Sequence, residues 1–282
     1  MRFAVGLPNV GEYGDPQVLL ELAVAAEESG WDGVNVWDHI LYHDRSWPVA
    51  DSIVAASAMA TATHSVRIGL LMLALPRRRP WKLAKELATL DRLSNGRLVA
   101  GFGLGSMASE YSAFGEDADL KVRAEKLDEG LQIVDRCLRG GTVSFRGRHY
   151  QVDDVRLLPE AAQYPRLPIW VAGRWPNRAP FRRAARWDGV MPVHVDFGKG
   201  ETMPPEAVND IRDYVVRHRS TTERFDLAIE GMSDRGRVDI ERLARYERAG
   251  ATWWVEALGW WRGDVGAAMQ RIREGPTRPD QP

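Results

Sequence analysis

Short apolar runs recur along this chain at 2–7, 33–37, 66–73, 97–102, 168–172, 189–193, 225–230 and 252–257. Their length and their Val, Ile and aromatic content predict buried strands. Between them, apolar residues fall three and four positions apart, which predicts amphipathic helices. The first helix shows the pattern well. Asp15 and Pro16 supply an N-cap and a first-turn proline, Leu19, Leu22, Ala23 and Ala26 form one face, and Gly30 ends it. Further helices are predicted over 51–63, 121–138, 178–186, 205–218, 239–249 and 265–273, with one more inside the crossover that follows residue 73. Each predicted strand is followed by a helix. Strict alternation without a break in composition predicts one (β/α)8 TIM barrel spanning residues 1–282, with an open doubly wound sheet as the alternative.

One segment departs from the alternation. In TVSFRGRHYQVDDVRLLPE two alternating runs flank Arg146-Gly147-Arg148, which predicts a small β-excursion over 142–157 outside the main sheet. Residues 276–282 read as a frayed, flexible tail.

Composition narrows the class. A hydrophobic content of 44% supports a sizeable core. A formal charge of −1 and a pI near 6.6 give no drive toward nucleic acid or anionic membranes. The one cysteine, Cys137, sits in a helical pattern and reads as a buried, inert thiol. The N-terminal run is broken by Pro8, too early for a signal peptide, and no apolar run approaches the roughly 20 residues of a membrane span. A cytoplasmic protein is expected. The histidines show no metal-ligand spacing, so no metal site is expected.

The stretch from Arg67 to Glu110 is the most informative. It reads as strand, basic turn, helix, glycine turn, strand and glycine-rich loop, a parallel βαβ crossover. Gly103 and Gly105 stand where the second strand ends. They permit close approach of a ligand to the backbone, or they serve a structural turn. The dinucleotide fingerprint fails, because Ser106 occupies the place of its third glycine.

In a barrel, reactive groups gather where strands end. Those positions hold Asn9, Asp38 and His39, Leu73 to Pro76, the loop from Gly103 to Glu110, Gly173 to Asn177, His194 and Glu230. His39 is a candidate acid–base group or a satisfied structural histidine. Adjacent side chains on an extended strand diverge, so Asp38 and His39 need not touch. Gly173, Arg174 and Asn177, before a helix, suit a phosphate or form a solvated loop. For Arg77-Arg78-Arg79 a solvated turn is preferred, since surface charge runs are common. Trp47, Trp175, Trp253, Trp254, Trp260 and Trp261 fill core or wall a flat apolar site.

Three segments carry a resemblance. VWDHI at 36–40, LAKELATLDRLSNGRLVAGFGLG at 83–105, and the pieces GRHYQV, LLP and PIWVAG between 147 and 173 occur in the order seen in luciferase-like flavin- and deazaflavin-dependent oxidoreductases. The chain resembles that family over nearly its whole length. The resemblance implies a (β/α)8 barrel, commonly a homodimer, that holds FMN or coenzyme F420 at its carboxyl face. Asp38 and His39 match the pair beside the flavin ring in the F420-using branch, with the histidine handling a proton. Leu71 and Met72 match a strand bulge with a cis non-proline peptide behind the ring. Gly103, Gly105 and Ser106 match the loop at the ring edge, where Gly105 is expected to leave no room for a side chain. Ala172, Gly173 and Arg174 match the segment reaching the ribityl chain and phosphate. The family's F420-dependent sugar-phosphate dehydrogenases place a glutamate where this chain has Ser106, which argues against their substrate chemistry.

The resulting expectation is an oxidoreductase exchanging hydride or electrons between a flavin-type cofactor and a small organic substrate. The Asp38-His39 pair favours F420 over FMN, and with FMN the chemistry would be that of a monooxygenase. A non-catalytic flavin carrier on the same barrel, and a metal-free barrel lyase or isomerase using His39 with Glu230, are the competing readings.

Overall fold

Apolar runs with no polar alternation need cover on both faces, and a ring of parallel strands sheathed by helices provides it. The computed structural model describes residues 1–196, 202–233 and 239–278. The chain runs β1 (Arg2–Leu7), α1 (Pro16–Glu28), β2 (Gly33–Val36), α2 (Ser52–Ala62), β3 (Arg67–Ala74), α3 (Pro80–Leu93), β4 (Leu98–Gly103), α4 (Ser109–Ser112) and α5 (Leu120–Leu138). It continues through β5 (Val143–Arg146), β6 (Gln151–Val155), β7 (Ile169–Trp175), α6 (Arg178–Ala184), β8 (Gly189–His194), α7 (Pro205–His218), β9 (Asp226–Gly231), α8 (Ile240–Ala249), β10 (Trp253–Ala257) and α9 (Val265–Arg273). Eight strands close into a barrel in the order β1-β10-β9-β8-β7-β4-β3-β2. Every pairing within it is parallel. The protein is therefore a (β/α)8 barrel, as the alternation predicts, and not an open sheet.

The excursion between α5 and β7 is an antiparallel hairpin of β5 and β6, outside the barrel. Glu129 of α5 tethers its turn by accepting hydrogen bonds from the backbone amides of Arg148, His149 and Tyr150. Two elements differ from expectation. The four-residue α4 is too short to carry a helical period, so the sequence shows only a loop there. Strand β7 runs to Trp175 because Gly173, Arg174 and Trp175 stay in register with Pro192, Val193 and His194 of β8. The expected tail lies partly outside the described residues, at 279–282, while Arg278 reaches back to Asp32 at 3.1 Å.

The turn between α3 and β4 is built by its own polar residues. Asp91 accepts from the amides of Ala162 and Gln163. Asn95 and Gly96 take positive φ of 53° and 77°, where asparagine and glycine are tolerated. The Arg97 guanidinium donates to the carbonyls of Ala60, in the last turn of α2, and of Thr63, just past its end.

Strand β3 carries a register shift between Leu70 and Leu73 against β4, and the Leu71–Met72 peptide is cis. The displaced side chains claim the space over β4. A Cβ on Gly101 would meet Leu71 Cδ2 at 2.4 Å and Met72 Sδ at 2.7 Å. Gly101→Val should therefore lower stability by about 1–3 kcal/mol through overpacking. A urea midpoint that does not move would contradict this packing.

Candidate active site

The carboxyl ends of β2, β3 and β4 meet around one buried arginine. Arg77 follows β3, and its guanidinium lies 3.0 Å from Asp38 Oδ2 and 3.0 Å from Glu110 Oε1. All three side chains are nearly sealed from solvent, at 4%, 2% and 1% exposed. The contact to Glu110 is an ion pair but not an aligned hydrogen bond. Arg78 adds a second cation 2.6 Å from Asp38 Oδ1. The basic run is thus no solvated turn. Arg77 and Arg78 fold inward because two buried carboxylates await them, and only Arg79 stays exposed.

Asp38 and His39 lie just past the end of β2, and their side chains take different partners. The Asp38 carboxylate accepts from Ser52 Oγ at 2.8 Å and from the Ala74 amide at 3.0 Å, besides the two arginines. Its oxygens are fully engaged within the protein. His39 turns toward α4, with Nδ1 3.2 Å from Glu110 Oε1. The same oxygen accepts from the Ile40 amide at 2.8 Å. Asn9, fully buried at the end of β1, grips the His39 backbone from the other side. Its Oδ1 accepts from His39 N at 3.1 Å and its Nδ2 donates to His39 O at 2.9 Å.

These partners set the charges. Burial disfavours ionised Glu110, but the His39 hydrogen bond, the Arg77 charge and the Ile40 amide outweigh it and hold the carboxyl below its ordinary range. Burial likewise opposes ionised Asp38, and Arg78 and Arg77 overcome it. With Glu110 ionised, the hydrogen bond assigns the His39 proton to Nδ1 and leaves Nε2 as the basic nitrogen.

The glycine-rich loop is shaped mostly from within. Gly105 has φ +77°, and a Cβ there would meet Tyr111 Oη at 2.7 Å and Ala74 Cβ at 3.3 Å. Room is indeed absent at Gly105, but Tyr111 and Ala74 take it. Burial pushes the Tyr111 phenol up to about 12, so it stays a donor and holds the Leu104 carbonyl at 2.7 Å. Gly103 differs. A Cβ there would make ordinary contacts, 3.4 Å from Ala172 Cβ and 3.7 Å from Met72 Cβ. The bulge, β4 and β7 thus bring Met72, Gly103 and Ala172 onto one surface, where Met72 and Ala172 keep partial exposure while Leu71 is buried.

Ser106 is exposed on the same loop, and Arg174 is exposed at the end of β7. Gly173 serves packing, since a Cβ would press on Pro180 at 2.9 Å and Phe181 at 3.0 Å.

An aromatic wall stands beside His39. Its ring makes edge contacts with Trp37 at 6.0 Å and Tyr42 at 5.0 Å. Trp37 stacks on Trp261 at 5.6 Å, and Trp260 touches Trp37, Tyr42 and Trp47 at 5.0–6.2 Å. Of the tryptophans singled out in the sequence, Trp47, Trp260 and Trp261 belong to this wall, while Trp254 is core. Glu110 and Arg77 escaped the reading of the sequence as partners of His39. The strand-end rule that selected His39 applies equally to Arg77, but contact across loops is not encoded locally.

Residues 1–232 match the family model described as luciferase-like monooxygenase. An uncharacterised protein, y4wF of Sinorhizobium fredii, is 32% identical over 169 residues, 60% of this chain. The chain spans only 46% of that relative's length. The F420-dependent glucose-6-phosphate dehydrogenase of Amycolatopsis mediterranei is 29% identical over 230 residues, which cover 80% of this chain and 67% of that protein. Among solved structures, an F420-dependent secondary alcohol dehydrogenase in complex with an F420–acetone adduct superimposes with a TM-score of 0.76 at 18% identity, covering 97% of both chains. At that identity the likeness shows the fold.

Two outcomes follow from the buried charges. Asp38→Asn leaves Arg77 and Arg78 undercompensated and should cost about 3–5 kcal/mol, read as a fall in the denaturation midpoint. Asp38 and Glu110 both have folded-state pKa values below their unfolded ones. Their contribution is therefore complete above the ordinary carboxylate value of about 4 and drains as pH falls through the lowered values. Thermal unfolding followed from pH 7 to pH 2 should show this loss. A Glu110→Gln chain with the same acid slope as the parent would count against it.

Proposed function

This chain belongs to the luciferase-like monooxygenase family, and from that premise we propose that it is an oxidoreductase working with a reduced or oxidised flavin-type cofactor, F420 in preference to FMN, on a small organic substrate. The observation that carries the reading is that Glu110 holds both His39 and Arg77 at the end of the barrel where Met72, Gly103 and Ala172 come together. Such a cofactor, when bound, supplies the hydride or electron transfer.

The residues fit that group. Met72 and Ala172, partly exposed on either side of buried Gly103, form an uncharged patch suited to one face of a ring system. Leu71 supports it from the core. Gly105 and Ser106 form the loop at its edge, and Gly173 and Arg174 continue along β7, where the exposed guanidinium suits an anionic tail. Asp38 acts through Arg77 and Arg78 as a positioning residue, because its oxygens are engaged inside the protein.

His39 is the proton-handling group. Glu110 orients its ring and fixes the proton on Nδ1, so Nε2 accepts a proton from a bound alcohol or, once protonated, returns one to a carbonyl. Arg77 tempers Glu110, keeping it an ionised acceptor and not a competing acid. The tryptophan wall excludes water and offers stacking surface to an apolar substrate. Ser106 supplies no carboxylate, which supports an uncharged alcohol or carbonyl substrate over a sugar phosphate. F420 is preferred because Asp38 and His39 match the F420-using branch. A homodimer is proposed on the family resemblance. Among the described residues no helix is long and apolar enough to cross a membrane.

Fluorescence titration of the purified protein with F420 and FMN side by side tests the cofactor, and saturable F420 binding is expected. His39→Ala should leave that affinity nearly unchanged and cut turnover of a secondary-alcohol or enone panel by about 10²–10⁴-fold. It should also change the shape of the pH–rate profile. Binding without any turnover in the parent would favour the carrier reading, and no binding of either cofactor would sink the proposal.

A further inference from the structure

At the end of the barrel opposite His39, where the strands begin, lies a cavity of about 410 Å³. Seven arginines and three carboxylates line it. Most of the cations already have protein partners. Arg166 pairs with Asp135 and Asp188, Arg186 with Asp128, Arg139 with Asp135, and Arg224 with Asp226. Arg219 donates to the Trp187 carbonyl.

Arg2 and Arg67 differ. Among the described residues neither makes an ion pair, and Arg2 only lies over the Trp253 indole, 5.2 Å from its centroid. They open β1 and β3. The strand between them, β2, begins at Gly33, which is in register with Arg67 and with Ala4. No side chain of that glycine comes between them. Burial, then the like charges of Arg2 and Arg224, weaken the hold of Arg67 on its proton, while Asp226 and Asp91 act the other way. Two facing cations in a half-closed cavity repel each other until an anion arrives.

Trp170, Trp187 and Trp253 wall the cavity. Their indole N–H groups are sealed against protein, so the arginines supply the polar contacts the cavity offers.

We propose that this cavity binds a small oxyanion bearing at least two negative charges, a phosphate ester or a polycarboxylate, held between Arg2 and Arg67. The volume lies within the range of about 300–1,000 Å³ usual for small-molecule sites and exceeds what a single inorganic ion needs. Such a ligand would bridge the starts of β1, β3, β7 and β10 and stabilise the barrel in proportion to its concentration. The site is independent of the cofactor at the mouth.

Calorimetric titration of the intact, cofactor-free protein with pyrophosphate and with citrate, at ionic strength held constant with chloride, tests this. Saturable binding of one equivalent is expected, and the stronger of the two ligands identifies the phosphate or carboxylate class. Arg67→Gln and Arg2→Gln should each weaken it about tenfold or more, the loss expected for a charged hydrogen bond. Arg174→Gln, at the mouth, should leave it unchanged. The proposal falls if the parent shows no saturable binding of either anion. It also falls if binding survives both floor substitutions or is lost in Arg174→Gln. If Arg67→Gln does not fold, Arg2→Gln decides, and equal thermal protection of the parent by chloride alone at the same ionic strength overturns the site.

Discussion

The mouth of the barrel depends on one guanidinium that serves two carboxylates. Arg77 joins Asp38, just past β2, to Glu110 on α4, and itself sits in the turn that follows β3. Three chain segments far apart in sequence are thereby tied at one point. Burying four charges is expensive, and replacing such networks with apolar groups is often neutral or better for stability. What the network does here is geometric. It places a carboxylate 3.2 Å from His39 while the rest of that carboxylate's charge is matched by Arg77. An unmatched glutamate in this setting would take up a proton instead and lose its value as an acceptor.

The glycines of the mouth show how packing, and not direct ligand contact, shapes a binding surface. Gly101 yields to the bulged Leu71 and Met72, Gly105 to Tyr111, and Gly173 to Pro180 and Phe181. Only Gly103 of this group retains ordinary space above it. The surface proposed for the cofactor is what remains once the core has taken its share. The most recognisable stretch of the chain, LATLDRLSNGR, likewise holds scaffold. Asp91 anchors the segment before β7, and Arg97 closes the end of α2. A family can be recognisable by residues that never meet a substrate.

The two ends of the barrel have opposite chemistry. The mouth matches its charges internally and surrounds His39 with tryptophan and tyrosine rings, whereas the floor leaves Arg2 and Arg67 unmatched. Between them Val99, Trp170, Met191, Ala228, Trp253 and Val255 pack as a continuous apolar plug. The two ends are therefore separated by close-packed side chains that leave no passage for water or a ligand between them.

The period of the apolar residues, by itself, determined the strand and helix order. That order favoured closure, since a closed ring of eight parallel strands leaves no edge to expose, but the open sheet stayed its alternative until the strand pairing decided between them. The hairpin over 143–155 was legible from its alternation around Arg146-Gly147-Arg148, and His39 from its place after a strand. Local pattern misread Arg77 and Arg78 as solvated, because a run of arginines looks the same whether it faces water or a carboxylate. It was silent on Glu110 as the partner of His39, on Tyr111 as the reason for Gly105, and on the pairing of Arg2 with Arg67 across the floor. Each of those depends on which distant side chains share a low-dielectric space, and only closure of the barrel brings them there.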